Sequence, residues 1–128
     1  MNPLALEWVE KAEEDFHVAR REYRARKYPG YNAVCFHAQQ SAEKYLKARL
    51  QESGVAFPRT HSLPALLQLV LPIEPLWVAM NAALNNLTIY GVNFRYPGAS
   101  ATKADAGQAI KDCCLVRKEA RLSLGLPI

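Results

Sequence analysis

Four side chains between Val34 and Leu50 are spaced for recognition chemistry: Phe36, Gln40, Glu43 and Lys47 follow at i, i+4, i+7 and i+11. On an α-helix they fall within roughly 60° of one another. An aromatic ring, an amide, a carboxylate and an ammonium in register suit either a second subunit or an anionic ligand. The plain alternative is a solvated face with one stray aromatic. Glu43 precedes Lys47 by four residues, the favourable order for a helical ion pair, which by itself contributes only about 0.3–0.5 kcal/mol. Lys44 flanks the same surface. Arg95, set between Phe94 and Tyr96 and just ahead of Pro97, is the cation best suited to a phosphate. It could equally serve the carbonyl dipole at a helix end or pair with Glu43. Tyr96 reads as a packing residue that ends the helix, with its hydroxyl partnered. His61, directly after Thr60, either locks its loop or reaches the cleft beside Lys47. His37 lies at the edge of the core arc as a structural hydrogen-bonding residue, and His17 faces solvent.

Other chemistries find less support. No two histidines have metal-ligand spacing, no H-E-x-x-H motif is present, and no glycine loop of the phosphate-cradling kind occurs, so neither a metal nor a cofactor is expected. The three cysteines, Cys35, Cys113 and Cys114, form no CxxC pair and read as reduced core or near-core residues. The net charge of +4 permits a nucleotide or RNA partner without demanding one. Its basic clusters, Arg20 to Lys27 and Arg117 to Arg121, are interleaved with acids on helices. The acidic, amphipathic start MNPLALEWVEKAEED lacks the features of a signal peptide, and no apolar run is long enough for a membrane span. A cytoplasmic location is the expectation.

The elements that must position these residues are helices. A length of 128 residues, half of them hydrophobic, suits one domain spanning 1–128. Asn2-Pro3 starts the first helix as cap and first-turn proline, with an apolar stripe from Ala5 to Tyr23 and a break at Pro29-Gly30. The second, from about Asn32 to Glu52, carries Val34, Cys35, Ala38, Ala42, Tyr45 and Leu46 on its core arc and stops at Ser53-Gly54. A short third helix covers Leu63 to Leu71, capped by Ser62. The fourth runs from Leu76 to Tyr90 or Asn93, with a stripe of Leu76, Met80, Ala83, Leu84, Leu87 and Tyr90. The fifth opens at Thr102, with Asp105 as reciprocal cap, and continues to Leu124. Four long helices on short connections predict an all-α, antiparallel up-and-down four-helix bundle with an additional short helix.

The run Phe36-His37-Ala38-Gln39-Gln40-Ser41-Ala42-Glu43-Lys44-Tyr45-Leu46-Lys47-Ala48, followed by Thr60-His61-Ser62-Leu63 and then Arg95-Tyr96-Pro97, resembles the HEPN domain family (higher eukaryotes and prokaryotes nucleotide-binding) over nearly the whole chain. The resemblance implies a helical bundle that forms a homodimer, with Phe36 and Tyr96 at the dimer contact or the cleft wall. It implies nucleotide or RNA phosphate bound by Arg95, Lys47, Gln40, Glu43 and His61. It further implies a small nucleotidyltransferase as partner in a toxin–antitoxin-like pair. Some members are metal-independent RNases marked by an arginine followed, after four to six residues, by a histidine. Here Ser100, Ala101 and Thr102 stand in those places, and no histidine follows His61. The implied module therefore binds without RNase activity; an endoribonuclease with a displaced base, His61 or His37, is the alternative.

Overall fold

A computed structural model describes all residues 1–128. Its elements are α1 (Pro3–Tyr23), α2 (Tyr31–Glu52), α3 (Leu63–Val70), a 3₁₀ turn (Pro75–Met80), α4 (Asn81–Asn93) and α5 (Lys103–Ser123). The starts follow local chemistry. Asn2 Oδ1 accepts from Leu4 N at 2.8 Å and caps α1, Ser62 Oγ caps α3, and Thr102 with Asp105 forms the expected capping box on α5. No helix is long and apolar enough to cross a membrane.

Links between helix ends fix the topology. Asn2 N donates to Glu52 Oε2 at 3.0 Å and Gly30 N to Glu22 Oε1 at 2.6 Å, closing α1 and α2 into an antiparallel hairpin. Arg49, near the end of α2, donates to Glu74 ahead of α4, whereas Arg95, past the end of α4, lies over Phe36 near the start of α2. Thus α4 runs against α2. At one end of α5 Ala101 N donates to Asn32 Oδ1; at the other, Ser123 Oγ meets Arg49 Nε. Thus α5 runs with α2. The four longer helices alternate in direction as the spacing predicts, and α2 packs against α1, α3, α4 and α5.

This central position accounts for the largest departure from the helical-wheel reading. The predicted core arc of α2 is fully buried, but so are Glu43 and Lys47 on the opposite side. A helix enclosed by four neighbours has no solvated flank. The fourth helix also differs at its start. Pro75 opens a 3₁₀ turn, which shifts the phase of the stripe, so Leu76 is exposed and Trp77 takes the core position. Cys35 and Cys113 are buried as expected; Cys114 is exposed. Burial pushes the Cys35 thiol up to about 11 and that of Cys113 up to about 12, so neither offers a ready thiolate.

Polar groups inside the bundle are mostly tied to partners. Glu13 receives Arg117 Nε and Nη2, each at 2.7 Å, and the Tyr45 hydroxyl. Burial alone would raise the Glu13 pKa, yet these hydrogen bonds and the charges of Arg117 and Arg121 outweigh it and hold it below the usual value. Arg117 and Arg121 are therefore structural, whereas Lys118 in the same cluster is exposed. Asp15 is held by His37 Nδ1 at 2.8 Å and by Lys44, the structural role expected of His37.

Two buried groups are exceptions, the Ser41 hydroxyl, which has no partner, and Asp112. Asp112 is buried, Oδ1 accepts from Gln108 Nε2 at 2.9 Å, and Oδ2 has no partner. Burial raises its pKa, and the nearby amides of Gln108 and Asn86 offset this only in part. A carboxyl with a raised folded pKa holds its proton longer in the native state, so stability falls as pH rises from the ordinary carboxyl range through the raised value. Asp112→Asn removes that loss. Above the window it should be more stable than the parent by about 1 kcal/mol, and the gap in melting temperature should close as the pH is lowered. Thermal unfolding at several pH values reads both.

Candidate functional site

One polar cleft lies where α2, the loop before α3, and α4 meet. It encloses about 180 Å³ and is lined by Phe36, Gln39, Gln40, His61, Thr88, Gly91, Val92 and Arg95. The size matters: it is below the roughly 300–1,000 Å³ of pockets that engulf drug-sized ligands. It suits one phosphate and the group attached to it.

Each wall has a local cause. Gly91 lets α4 approach α2 closely, since a Cβ there would stand 2.7 Å from Gln39 Cγ. Helix α4 ends at Asn93, and Phe94 stacks back on Tyr90 with ring centroids 5.8 Å apart. The next residue, Arg95, turns its guanidinium over the Phe36 ring, 5.2 Å from the centroid. This cation–π contact orients the guanidinium while leaving its N–H groups for an anion. Arg95 is exposed and does not pair with Glu43, whose ionic partners are Lys47 and His61. Phe36 itself is half-buried, covered by Arg95 and by the edge of His37.

Behind the cleft sits Glu43, with its side chain only 3% exposed. Its carboxylate accepts from Lys47 Nζ at 3.0 Å, from His61 Nδ1 at 3.0 Å and from Gln39 Nε2 at 3.3 Å. Lys47 is buried too, and its ammonium lies 5.3 Å from the centre of the Trp8 ring. By contrast, the His61 side chain is 81% exposed. The buried carboxylate thus holds the Nδ1 side of an imidazole whose Nε2 side faces solvent at the cleft.

The residues singled out from sequence therefore divide. Arg95, Gln40, His61 and Phe36 line the cleft together. Glu43 supports them from behind, without reaching the cavity. Lys47 lies outside the lining, on the far side of Glu43, and its place as a ligand-facing cation is corrected: α2 is covered there by Trp8 of α1. For Tyr96 the reading as a packing residue within its own chain is corrected, and it lies outside the cleft lining. It is 66% exposed and packs on nothing that would bury it. Gln39 and Thr88 belong to the site but were not singled out. Gln39 directly precedes Gln40 and lies four residues before Glu43, the helical spacing that could have marked it. Thr88 donates its hydroxyl to Leu84 O at 2.9 Å, and nothing local sets it apart.

A larger groove, of about 570 Å³, lies between the 3₁₀ turn and α5, lined mainly by Leu76, Trp77, Ala79, Met80, Leu115 and Leu122. Its lining is mainly apolar; Glu74, Glu119 and Ser123 also border it, but Glu74 is already bonded to Arg49 and Ser123, and no cation among its walls could hold a phosphate. No cluster of three or more histidine, cysteine or acidic side chains is arranged to hold a metal.

The sequence profile of the HEPN domain matches residues 5–122. Among solved structures, the fold is similar to the crystal structure of an archaeal HEPN homologue, with a TM-score of 0.67 and 24% identity, over 93% of this chain and 96% of that one. At that identity the likeness speaks for the fold. No curated protein matches the sequence.

Proposed function

Because the chain belongs to the HEPN domain family, we propose that it is a dimerising module that binds the phosphate of a nucleotide or of RNA in the Arg95 cleft. The observation that carries this reading is Arg95 itself: an exposed guanidinium held over Phe36, unpaired with any carboxylate, at the mouth of a cleft with a histidine and an amide. A structural arginine would be satisfied within its own chain, as Arg117 is by Glu13. The dimer contact we assign to the surface beside the cleft. Ile89, Val92 and Tyr96 are all more than half exposed there, and such apolar groups gain from a second subunit. Pairing with a small nucleotidyltransferase, in a toxin–antitoxin-like arrangement, is part of the same proposal and rests on the family alone.

Titration with ATP, AMP and a short RNA, followed by melting temperature, tests the binding claim. A ligand at 100 times its dissociation constant should stabilise by about 2.7 kcal/mol. Arg95→Ala should weaken binding by about 10- to 100-fold, the range for a lost charge-assisted contact. A flat response to every phosphate compound, or an unchanged affinity in the variant, refutes the reading.

One observation favours a second reading, an endoribonuclease with His61 as the base. The Glu43–His61 bond is the support a general base requires, and it stands in the Arg95 cleft. Cleavage of RNA by the purified protein, lost in both Arg95→Ala and His61→Ala, would establish that reading. Intact RNA would leave the binding module.

A further inference from the structure

We infer that Glu43 sets the hydrogen-bond polarity of the Arg95 cleft so that it takes a phosphate together with a hydroxyl-bearing ribose, in preference to a deoxygenated sugar phosphate. This rests on the phosphate-binding reading above and specifies its ligand.

The polarity follows from which atoms can donate. A carboxylate contacted by the Lys47 ammonium is an acceptor only. The imidazole nitrogen 3.0 Å from it, His61 Nδ1, must then carry a hydrogen. In the neutral ring this leaves Nε2 as an acceptor. The same carboxylate orients Gln39. Its Nε2 lies 3.3 Å from Glu43 Oε1 and 3.3 Å from the His61 carbonyl oxygen, two groups that only accept, so the amide cannot be turned the other way round. Gln39 Oε1 then faces Gln40 and accepts from Gln40 Nε2 at 2.8 Å. That bond in turn fixes Gln40, leaving its Oε1 and one N–H without a partner in the chain. The buried carboxylate thus determines one tautomer and, together with the His61 carbonyl, two amides.

The cleft that results presents one kind of group beside another. Arg95 offers only donors, which suit a phosphate. His61 Nε2 and Gln40 Oε1 are acceptors on residues of the same small cavity. An acceptor next to a phosphate repels further phosphate oxygens and calls for a donor on the ligand. The donor nearest a phosphate in a nucleotide is a ribose hydroxyl. A sugar without hydroxyls leaves both acceptors unpaired once the ligand has displaced water from them.

The experiment compares AMP with its 2′,3′-dideoxy analogue, and both with inorganic phosphate, by calorimetric titration under mildly alkaline conditions, which favour a neutral ring over a charged one. AMP should bind about tenfold tighter than the dideoxy compound, the ratio expected for one or two lost neutral hydrogen bonds. Glu43→Gln should bring the ratio down by about threefold, because a glutamine at 43 can donate to His61 Nδ1 and so frees Nε2 from the acceptor role, while the His61 carbonyl still holds Gln39 and Gln40 in place. Should Glu43→Gln fail to fold, Gln40→Met at a partly exposed position makes the same test, since it removes the acceptor directly. Equal affinity of the wild-type protein for both compounds overturns the inference and leaves phosphate binding standing, as does a ratio that survives both substitutions. No binding of AMP, dideoxy-AMP or phosphate overturns the phosphate reading itself, and the ribose preference with it.

Discussion

Lys47→Met should destabilise the protein by about 3–5 kcal/mol, measured by urea denaturation, a loss typical of breaking a buried ion pair from one side. The methionine keeps most of the stem and its contact with Trp8, so the loss isolates the charge. Glu43, with its side chain only 3% exposed, would be left with Gln39 and His61 as its donors in place of an ammonium. Adding Glu43→Gln to Lys47→Met should recover much of the loss, since a pair of neutral groups of similar volume costs far less to bury than a lone carboxylate. The same variants separate a structural lysine from a ligand-binding one. If Lys47 faced the ligand, its removal would abolish phosphate binding and leave stability within about 0.5 kcal/mol, as at an ordinary surface position. The geometry predicts the reverse, with the folded fraction of Lys47→Met still responding to phosphate through Arg95.

Lys47 also shows where the sequence stops being informative. The helical wheel placed Phe36, Gln40, Glu43 and Lys47 on one flank, and they do share it. Periodicity gives the angle of a residue about its own helix; it says nothing of how many neighbours surround that helix. Because α2 runs beside four other elements, its two ends have different surroundings. Trp8 covers the flank at Lys47, while Arg95 leaves a cleft open at Phe36. The wheel could not separate the two. The helices themselves were legible because capping is local. Asn2-Pro3, Ser62 and the Thr102–Asp105 box each act within a few residues of the ends they define. The start of the fourth helix departs from the spacing because Pro75 opens a 3₁₀ turn, and the tighter turn puts Leu76 out of phase with Met80, Ala83, Leu84 and Leu87, which are buried as the stripe predicts. Within the site, Arg95 and His61 were legible from their neighbours, Arg95 set between two aromatics ahead of Pro97 and His61 directly after Thr60 at the entry to a short helix. Gln39 carries a spacing signal to Glu43, but its other partner, the His61 carbonyl, comes from a loop that helical spacing does not describe.

The close approach of α4 to α2 gives two glycines opposite expected fates. Gly91 and Gly107 both sit inside helices, α4 and α5, where alanine is intrinsically favoured by about 1 kcal/mol. At Gly107 the nearest atom to an added Cβ is the Tyr23 hydroxyl at 3.0 Å, the far end of a side chain that can turn aside. Gly107→Ala should therefore be neutral or stabilising by up to about 1 kcal/mol. At Gly91 the added Cβ would meet Gln39 Cγ at 2.7 Å and Cβ at 3.1 Å. Those atoms lie near the backbone of the central helix and cannot move without α2 or α4 moving. Overpacking of this kind costs about 1–3 kcal/mol, more than the helix preference returns, so Gly91→Ala should lower the melting temperature where Gly107→Ala does not. It should also reach the cleft. Gln39 is pressed from its bonds to Glu43 and Gln40, and α4 is pushed outward, carrying Arg95 from its place over Phe36. Gly91→Ala should thus weaken phosphate binding in protein that is still folded, and Gly107→Ala should not. If the two alanines behaved alike in stability and binding, close approach of α4 to α2 would not be what forms the cleft.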